Sequence, residues 1–283
     1  MAEQPPLIDK AQARRAFSRA ARRYDEAAAL QREIGARMLS RLDYVRLQPQ
    51  VVLDAGTGTG EACDHLLRRY PKAQIIALDF ALPMLRRAAR RGRWLRRPRC
   101  LCADIERLPL ADDSVDLIYS NVTLQWCNDL EGAFREFHRV LRPDGLLMFS
   151  TFGPDTLREL REAWSAVDGA VHVSPFYDMH DIGDALLRVG LADPVMDVDR
   201  MTVTYDSVDG LMRDLKLLGA HNVASGRPKG LTGRGRMQAM RAAYECFRHE
   251  GRLPASYEVV YGHAWAPQVA STATLVPPPA LPD

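Results

Sequence analysis

Lysine is scarce in this chain of 283 residues, since it occurs only at positions 10, 72, 216 and 229 and arginine supplies the rest of the 38 basic residues. The 36 acidic residues leave a formal charge of +2, well short of the basic excess typical of a dedicated nucleic-acid-binding domain. Local arginine clusters at 86–99 and 227–236 either form solvated helix faces or meet an acidic partner. Net charge alone therefore says little about nucleic acid, and we expect no nucleic-acid partner.

Cysteines and long apolar runs are also few. The five cysteines are an odd number and lack both the paired spacing of a zinc site and the density of a disulfide scaffold. No stretch approaches the roughly 18 apolar residues of a membrane span, and the N-terminus lacks the apolar core of a signal peptide. We expect a cytoplasmic protein with reduced thiols, no metal and no membrane contact.

Short β-rich runs alternate with helical stretches from residue 51 onward, which predicts an α/β fold with a parallel sheet and helices on both faces. Before them, apolar residues at helical spacing in 10–42 predict two amphipathic helices. Beyond 151 we expect further helices, two strand-like pieces near 195–205, and a final antiparallel strand over 256–265 that inserts into the sheet. The expected strands of the parallel region are 51–53, 75–78, 100–102, 115–119 and 146–149.

A glycine-rich loop follows the first of these strands. The strand ends in Asp54, the glycines stand at 56, 58 and 60, and a helix begins near Glu61. Glycine lets the backbone turn sharply and approach a ligand closely. The next strand ends in Asp79, where a carboxylate can accept hydrogen bonds from both ribose hydroxyls of an adenosine ligand. The remaining possibility is that the glycines merely turn a strand into a helix.

The spacing Gly-x-Gly-x-Gly differs from the dinucleotide fingerprint, because Glu61 stands where a third glycine would be needed and would face a pyrophosphate. The motif instead resembles the first motif of class I methyltransferases, which bind S-adenosylmethionine (SAM). The resemblance implies SAM as co-substrate and no metal. It also implies these cofactor-binding positions: Asp54, Gly56, Thr57, Gly58, Gly60, Asp79, Phe80, Asp104, Ile105 and Asn121. Ligands bind at the carboxyl ends of parallel strands, so these residues are expected along one crevice.

Segments outside this core resemble the biotin-pathway malonyl-acyl carrier protein O-methyltransferases. They are 15–24, 120–126, 215–222, 231–234 and 257–262, and the resemblance covers roughly residues 10–266. It implies a Rossmann-like methyltransferase fold with a mostly parallel seven-stranded sheet, an N-terminal helical lid and a C-terminal helical insert. We accordingly divide the chain into a lid (1–45), a SAM-binding core (46–152), the remainder of the fold with the substrate-binding insert (153–266) and a disordered tail (267–283).

The resemblance further implies methyl transfer from SAM to the free carboxylate of a malonyl thioester, held on acyl carrier protein or coenzyme A. A charged chain end is costly to bury in apolar elongation pockets, and methylation removes that charge. A carboxylate is ionised at pH 7 and needs no general base, which fits the absence of an obvious one.

Candidate residues at the reacting groups come from the lid and from the segment after the fourth strand. Tyr24 and Phe17 are expected to close over SAM, although both could simply pack helices. Gln125 and Trp126 are expected to line the acceptor pocket, although a tryptophan after a strand is as often core. The candidate partners of the malonyl carboxylate or of the phosphopantetheine phosphate are Arg161, Lys216 and Arg234, each of which could instead be an ordinary surface charge.

Two other functions remain open from sequence. One is methylation of another small carboxylic acid, such as an aconitate-like substrate. The other is a role as a methyltransferase-like assembly factor of respiratory complex I, whose family shares segments near 153–157, 174–176 and 216. A nucleic-acid methyltransferase lacks support, because the base-flipping Asn/Asp-Pro-Pro-Tyr/Phe tetrapeptide is not found.

Overall fold

The computed structural model describes residues 7–220, 222–223, 227, 230 and 232–268. These residues form a single sheet with the strand order β3-β2-β1-β4-β5-β7-β6. Strands β1 to β5 are parallel, and β7 runs antiparallel to both β5 and β6. The strands are β1 (Val51–Ala55), β2 (Gln74–Asp79), β3 (Arg99–Cys102), β4 (Val115–Asn121), β5 (Leu141–Phe152), β6 (Ala192–Tyr205) and β7 (Leu253–Trp265). The expected α/β class, the mostly parallel seven-stranded sheet and the inserted final strand are confirmed.

Helices cover both faces of this sheet because successive strand residues point to opposite sides. Val52 packs into one apolar core and its neighbour Leu53 into the other. The helices are α1 (Lys10–Ala20), α2 (Tyr24–Ala27), α3 (Ala29–Arg41), α4 (Glu61–Arg69), α5 (Leu82–Ala88), α6 (Leu130–Val140), α7 (Arg158–Ser165), α8 (Met179–Arg188), α9 (Val208–Leu217) and α10 (Arg234–Tyr244). Helices α9 and α10 lie between β6 and β7 in the chain, where the insert was expected.

The N-terminal segment forms three helices where the sequence predicted two. Helix α1 is capped by Asp9, whose carboxylate accepts from the Gln12 amide at 2.9 Å, and it ends before the short helix α2. Helix α3 then packs on β4, where the Tyr119 hydroxyl donates to the Gly35 carbonyl at 3.1 Å. The apolar residues keep a helical spacing across the turn between α1 and α2 and the break between α2 and α3. The sequence pattern therefore could not show that α2 is a separate helix.

The segment near 195–205 is one strand, not the two pieces expected. Its acidic residues interrupt the apolar pattern, yet they face helix α3: Asp197 pairs with Arg41 at 2.5 Å and Asp199 with Arg37 at 3.2 Å. The strand lies at the edge of the sheet, where one side need not be apolar. Residues 269–283 of the expected disordered tail, and His221 and Leu231 of the resembling segments, lie outside the described residues.

Candidate active site

The glycine loop connects β1 to α4 at the carboxyl edge of the sheet, and its glycines are needed for different reasons. Gly56 has φ +82°, and a Cβ there would lie 2.1 Å from the Thr123 hydroxyl oxygen. Gly60 has φ +80° and would collide with the Ala88 backbone at 2.7 Å. Gly58 also has positive φ (+55°), but a Cβ there would meet nothing within 4 Å, because this residue faces a cavity. The loop therefore opens toward a ligand at its middle glycine.

Asp54 and Thr57 hold this loop from behind. The buried Asp54 carboxylate accepts from the Thr57 hydroxyl at 2.6 Å and from the Cys63 thiol at 3.3 Å. Burial raises the pKa of Asp54 to about 6, and the two hydrogen bonds oppose that rise. Neither residue lines the cavity, and Gly60 does not line it either. Their predicted contact with cofactor stays a prediction, while their contacts explain the shape of the loop.

Asp79 ends β2 beside the loop and lines the cavity. One carboxylate oxygen accepts from the Gly58 amide at 3.0 Å and the other from the Ala81 amide at 2.7 Å. Each oxygen keeps a second lone pair for a ligand hydroxyl. Burial raises the pKa of Asp79 to about 6, so the group is mostly ionised at neutral pH and is a strong acceptor.

The start of the lid contacts the loops that follow β3 and β4. Lys10 Nζ contacts both carboxylate oxygens of Asp104 at 2.9 Å and Glu106 at 2.8 Å. The Ile8 amide donates to the Asn128 side chain at 2.6 Å, and that side chain donates back to the Ile8 carbonyl at 3.0 Å. Asp104 and the adjacent buried Ile105 both line the cavity, and their contact with adenine stays a prediction.

A second attachment of the lid lies at α2, next to Tyr24. Asp25 accepts from the Thr59 hydroxyl in the glycine loop at 2.6 Å. Its other oxygen contacts Arg87 at 3.2 Å and Arg91 at 3.4 Å, both in or just after α5. We call Asp25, Thr59, Arg87 and Arg91 the lid latch. It fixes α2 directly over the glycine loop.

Tyr24 and Phe17 line the cavity from the lid side. Burial raises the pKa of the Tyr24 phenol, and the nearby carboxylates of Asp79 and Asp25 raise it further. The phenol is therefore neutral and able to donate a hydrogen bond. Phe17 stacks edge-on against Trp126 with ring centroids 5.0 Å apart and lies 5.8 Å from the Phe80 ring. These ring contacts connect α1 of the lid to the residue after β2 and to the segment after β4.

Two amides after β4 are held in fixed orientations. Asn121 donates to the Gln31 carbonyl of α3 at 3.0 Å and accepts from the Ser150 hydroxyl at 2.7 Å. Gln125 donates to the Val122 carbonyl at 2.8 Å. Val122 has φ +51°, an unfavourable conformation for a β-branched residue and one that such sites tend to retain. Asn121, Gln125 and Trp126 all line the cavity.

The cavity measures about 1170 Å³ and extends well beyond the loop and the lid. Its far end is mainly apolar and aromatic, and its lining includes Phe152, Leu160, Trp164, Phe176, Met212 and Tyr257. His172 lies there too, stacked on Trp164 at 3.7 Å between ring centroids and bonded to Asp168 at 2.8 Å. Pockets for one small ligand usually measure roughly 300–1,000 Å³. The volume thus admits two ligands.

The three basic candidates differ in position. Lys216 is exposed and lines the cavity. Arg161 does not line it, because its guanidinium donates to the backbone carbonyls of Pro154 at 2.9 Å and Thr156 at 3.1 Å. Arg234 is exposed at the first residue of α10 and does not line the cavity either. This geometry therefore gives no support for a substrate contact by Arg161 or Arg234. The sequence could not predict this, because helical periodicity does not specify the direction in which a long side chain points.

Sequence reasoning missed Gln31 and the lid latch. Gln31 lines the cavity, and its amide oxygen is buried without a hydrogen-bond partner among the described residues. It lies three or four residues before the buried Ile34 and Gly35, on the same face of α3. A polar residue on the otherwise apolar face of α3 was the available signal. The latch left no local signal, because Thr59 and Arg87 are distant from Asp25 in sequence.

Comparisons with known proteins identify the class to which this fold belongs. A family described as a methyltransferase domain matches residues 53–149. The YcgJ protein of Bacillus subtilis has the same fold with TM-score 0.57 at 16% identity, covering 82% of this chain and 99% of that one. A possible histamine N-methyltransferase of Thermotoga maritima matches with TM-score 0.54 at 17% identity over 90% and 99% of the two chains. Fold, loop and family match define a class I SAM-dependent methyltransferase.

Curated relatives identify the family of methyltransferases to which this chain belongs. A protein of Methylovorus sp. strain MP688 named malonyl-[acyl-carrier protein] O-methyltransferase is 59% identical over 93% of this chain and 90% of its own. The protein of that name from Laribacter hongkongensis is 55% identical over 92% and 90%. A protein of the same name from Legionella pneumophila is 40% identical over 89% of both chains. This chain belongs to the malonyl-[acyl-carrier protein] O-methyltransferase family.

Proposed function

We propose that this protein transfers a methyl group from SAM to the free carboxylate of a malonyl thioester on acyl carrier protein. The observation that carries the proposal is the similarity to relatives of that name, at 59% and 40% identity over 93% and 89% of this chain. It extends through the lid and the C-terminal region, where substrate choice resides in such folds. The methyl ester would then enter elongation toward the biotin precursor.

The residues at the glycine loop fit SAM. Gly58 faces open space, and the ionised Asp79 has free acceptor capacity for two ribose hydroxyls. Ile105 offers an apolar surface to adenine, and Gln31 offers a buried acceptor to an ammonium donor. When bound, SAM supplies a methyl group on a positively charged sulfur. We propose no metal, and the described residues contain no group of three or more His, Cys, Asp or Glu that could hold one.

The protein's contribution to the reaction is chiefly alignment and exclusion of water. The acceptor carboxylate is already ionised, so the neutral Tyr24 phenol serves as a hydrogen-bond donor that orients it and not as a base. Well-oriented reactants can gain on the order of 7–11 kcal/mol over free ones. Attack neutralises two opposite charges, and a cavity closed by Phe17, Phe80 and Trp126 strengthens their attraction by excluding water.

The remaining residues serve the acyl chain in this proposal. The constrained Gln125 amide and the Trp126 ring line the acceptor side, and the apolar far end of the cavity suits the pantetheine arm. Lys216, exposed where it lines the cavity, is the basic candidate best situated for an anionic group of the substrate. A coenzyme A thioester carries the same arm and is the alternative handle.

Neither alternative function is favoured. The relatives named above match this chain over about nine tenths of its length, including the segments that an aconitate-type enzyme or a complex I assembly factor would not need to share.

Among the described residues there is no helix long and apolar enough to cross a membrane. A cytoplasmic location stays a prediction.

The test is a mass-spectrometric assay of the purified protein with SAM. Malonyl-acyl carrier protein, malonyl-coenzyme A and acetyl-acyl carrier protein are offered separately. We expect one methyl mass on the malonyl carrier protein, a slower or absent reaction with the coenzyme A thioester, and none on the acetyl control, which lacks a free carboxylate. SAM binding without transfer to any malonyl thioester would contradict the proposal.

A further inference from the structure

Basic charge is concentrated in two segments of this chain that contain no acidic residue. Residues 10–24 and 80–103 together hold 14 of the 38 Lys and Arg residues and none of the 36 Asp and Glu residues. The rest of the chain carries all the acidic residues against the other 24 basic ones. The near-neutral total therefore hides one strongly positive region on an otherwise negative protein.

The two segments lie side by side. The Phe17 ring in α1 contacts the Phe80 ring, and Arg87 of α5 reaches the Arg22 carbonyl at 3.5 Å. Nine arginine side chains on these segments make no hydrogen bond or ion pair with any described residue. Arg93, Arg97 and Arg99 follow α5 at a distance, and the other six lie in or directly after α1 and α5: Arg14, Arg15, Arg19, Arg22, Arg86 and Arg90. We call these six the arginine surface. Leu82, Pro83 and Arg86 share one face of α5 at helical spacing.

Arginines on other faces are mostly paired. Arg37 contacts Glu33 at 2.8 Å, and Arg139 contacts Asp112 at 2.6 Å and Glu136 at 2.8 Å. Unpaired guanidinium groups repel one another, so clustering six of them lowers the stability of the fold unless a partner compensates for it. The contrast marks the arginine surface as a place for an anionic partner.

A shallow groove leads from this surface to the cavity. It is lined by Arg14, Arg15 and Arg19 of α1 and by Leu82 and Pro83 of α5. Arg19 and Phe80 line both the groove and the cavity. Leu82 is 49% exposed at the groove, an apolar contact among charges. A partner seated on the groove would thus lie beside the mouth of the active site.

We infer that the arginine surface docks an acidic helix face of the carrier protein that bears the malonyl thioester, an inference that rests on the proposed function. A protein substrate must be held near the cavity while its arm enters, and the charge and position of the surface meet both needs. A long nucleic acid fits less well, because the rest of the chain carries more acidic than basic residues. The carrier would gain affinity and association rate from the arginines, while the chemistry would proceed at the cavity.

The test compares two triple variants on two substrates. Arg15→Ala, Arg86→Ala and Arg90→Ala remove three charges from the arginine surface, and none of these residues lines the cavity. Arg46→Ala, Arg68→Ala and Lys72→Ala remove three exposed charges near the opposite, amino edge of the sheet. The substrates are malonyl-acyl carrier protein and the malonyl thioester of N-acetylcysteamine, which has no carrier and no phosphate.

We expect the surface variant to raise KM for the carrier substrate about tenfold, equivalent to about 1.4 kcal/mol of binding, and to leave kcat/KM for the small thioester within about twofold. The control variant should match the wild type on both substrates. Added salt should weaken the carrier reaction of the wild type and control more than that of the surface variant.

An unchanged KM for the carrier substrate would overturn the docking inference, and so would equal losses on both substrates. A wild type that methylates neither malonyl thioester would refute the proposed function. In that case, direct binding to immobilised carrier protein tests the docking inference separately. Weaker binding by the surface variant, with wild-type binding by the control variant, would support it. Wild-type binding to anionic vesicles or duplex DNA, without binding to carrier protein, would overturn it.

Discussion

Removing the Asp25 carboxylate should release the lid and weaken SAM binding. In the Asp25→Ala variant, the hydrogen bond from Thr59 at 2.6 Å disappears together with the contacts to Arg87 at 3.2 Å and Arg91 at 3.4 Å. A hydrogen bond to a charged group contributes about 1.5–3 kcal/mol, and each partly exposed ion pair contributes less than about 1 kcal/mol. The closed lid therefore loses about 2–4 kcal/mol, or roughly 30- to 700-fold in affinity if all of it is expressed.

The conservative variant and the neighbouring carboxylate provide matched comparisons. Asp25→Asn keeps an oxygen for Thr59 and should weaken SAM only a few-fold. Glu26→Ala removes an exposed carboxylate whose partner is Arg23, at 2.9 Å, and should change affinity less than twofold. Calorimetric titration with SAM at low and moderate salt measures all three, with thermal melting to confirm folding. An Asp25→Ala affinity indistinguishable from that of Glu26→Ala would refute the latch.

Three further variants test the cofactor and substrate sides. Asp79→Asn should weaken SAM about tenfold or more. Wild-type affinity should be full above pH 6 and fall as the pH drops through about 6, because protonation removes an acceptor charge, and the variant should keep only the part of that fall that comes from Asp54, whose pKa is also about 6. A wild-type profile in Asp79→Asn would remove that residue from the ribose role. Tyr24→Phe should lower kcat at least several-fold with little change in SAM affinity, and wild-type turnover would leave Tyr24 as a packing residue. Gly56→Ala should lower Tm and abolish SAM binding, since its φ of +82° and the 2.1 Å approach to Thr123 exclude a side chain. Gly169→Ala is the matched control, because a Cβ at Gly169 would meet nothing within 4 Å. Equal Tm values for the two variants would contradict this interpretation.

The clustering of the candidate cofactor residues at one edge of the sheet could be predicted from sequence because most of them lie at strand ends. Asp54, Asp79 and Asn121 lie in or at the ends of parallel strands, so sequence position alone brings them to one edge of the sheet. The glycine spacing then distinguished a methyltransferase loop from a dinucleotide loop. Likewise, the alternation over 256–265 was enough to predict β7, since a half-buried strand has a period of two.

The features that sequence could not provide depend on long-range pairing of side chains. Asp25 meets its latch partners only through the tertiary fold, and Arg161 turns toward backbone carbonyls rather than the cavity. Strand β6 was divided because Asp197 and Asp199 break the apolar pattern, although Arg41 and Arg37 compensate their charges. Rules based on apolar periodicity describe one strand or helix at a time. They do not include ion pairs between a strand and a helix that is distant in sequence.

The measurement that tests the central claim most directly locates the transferred methyl group. SAM labelled with carbon-13 in its methyl group is incubated with the protein and malonyl-acyl carrier protein, and the product is analysed by carbon NMR before and after mild base. We predict a methoxy signal on the malonyl carboxylate that base hydrolysis releases as methanol. A label on the malonyl methylene carbon, or on the carrier polypeptide itself, would contradict carboxyl methylation.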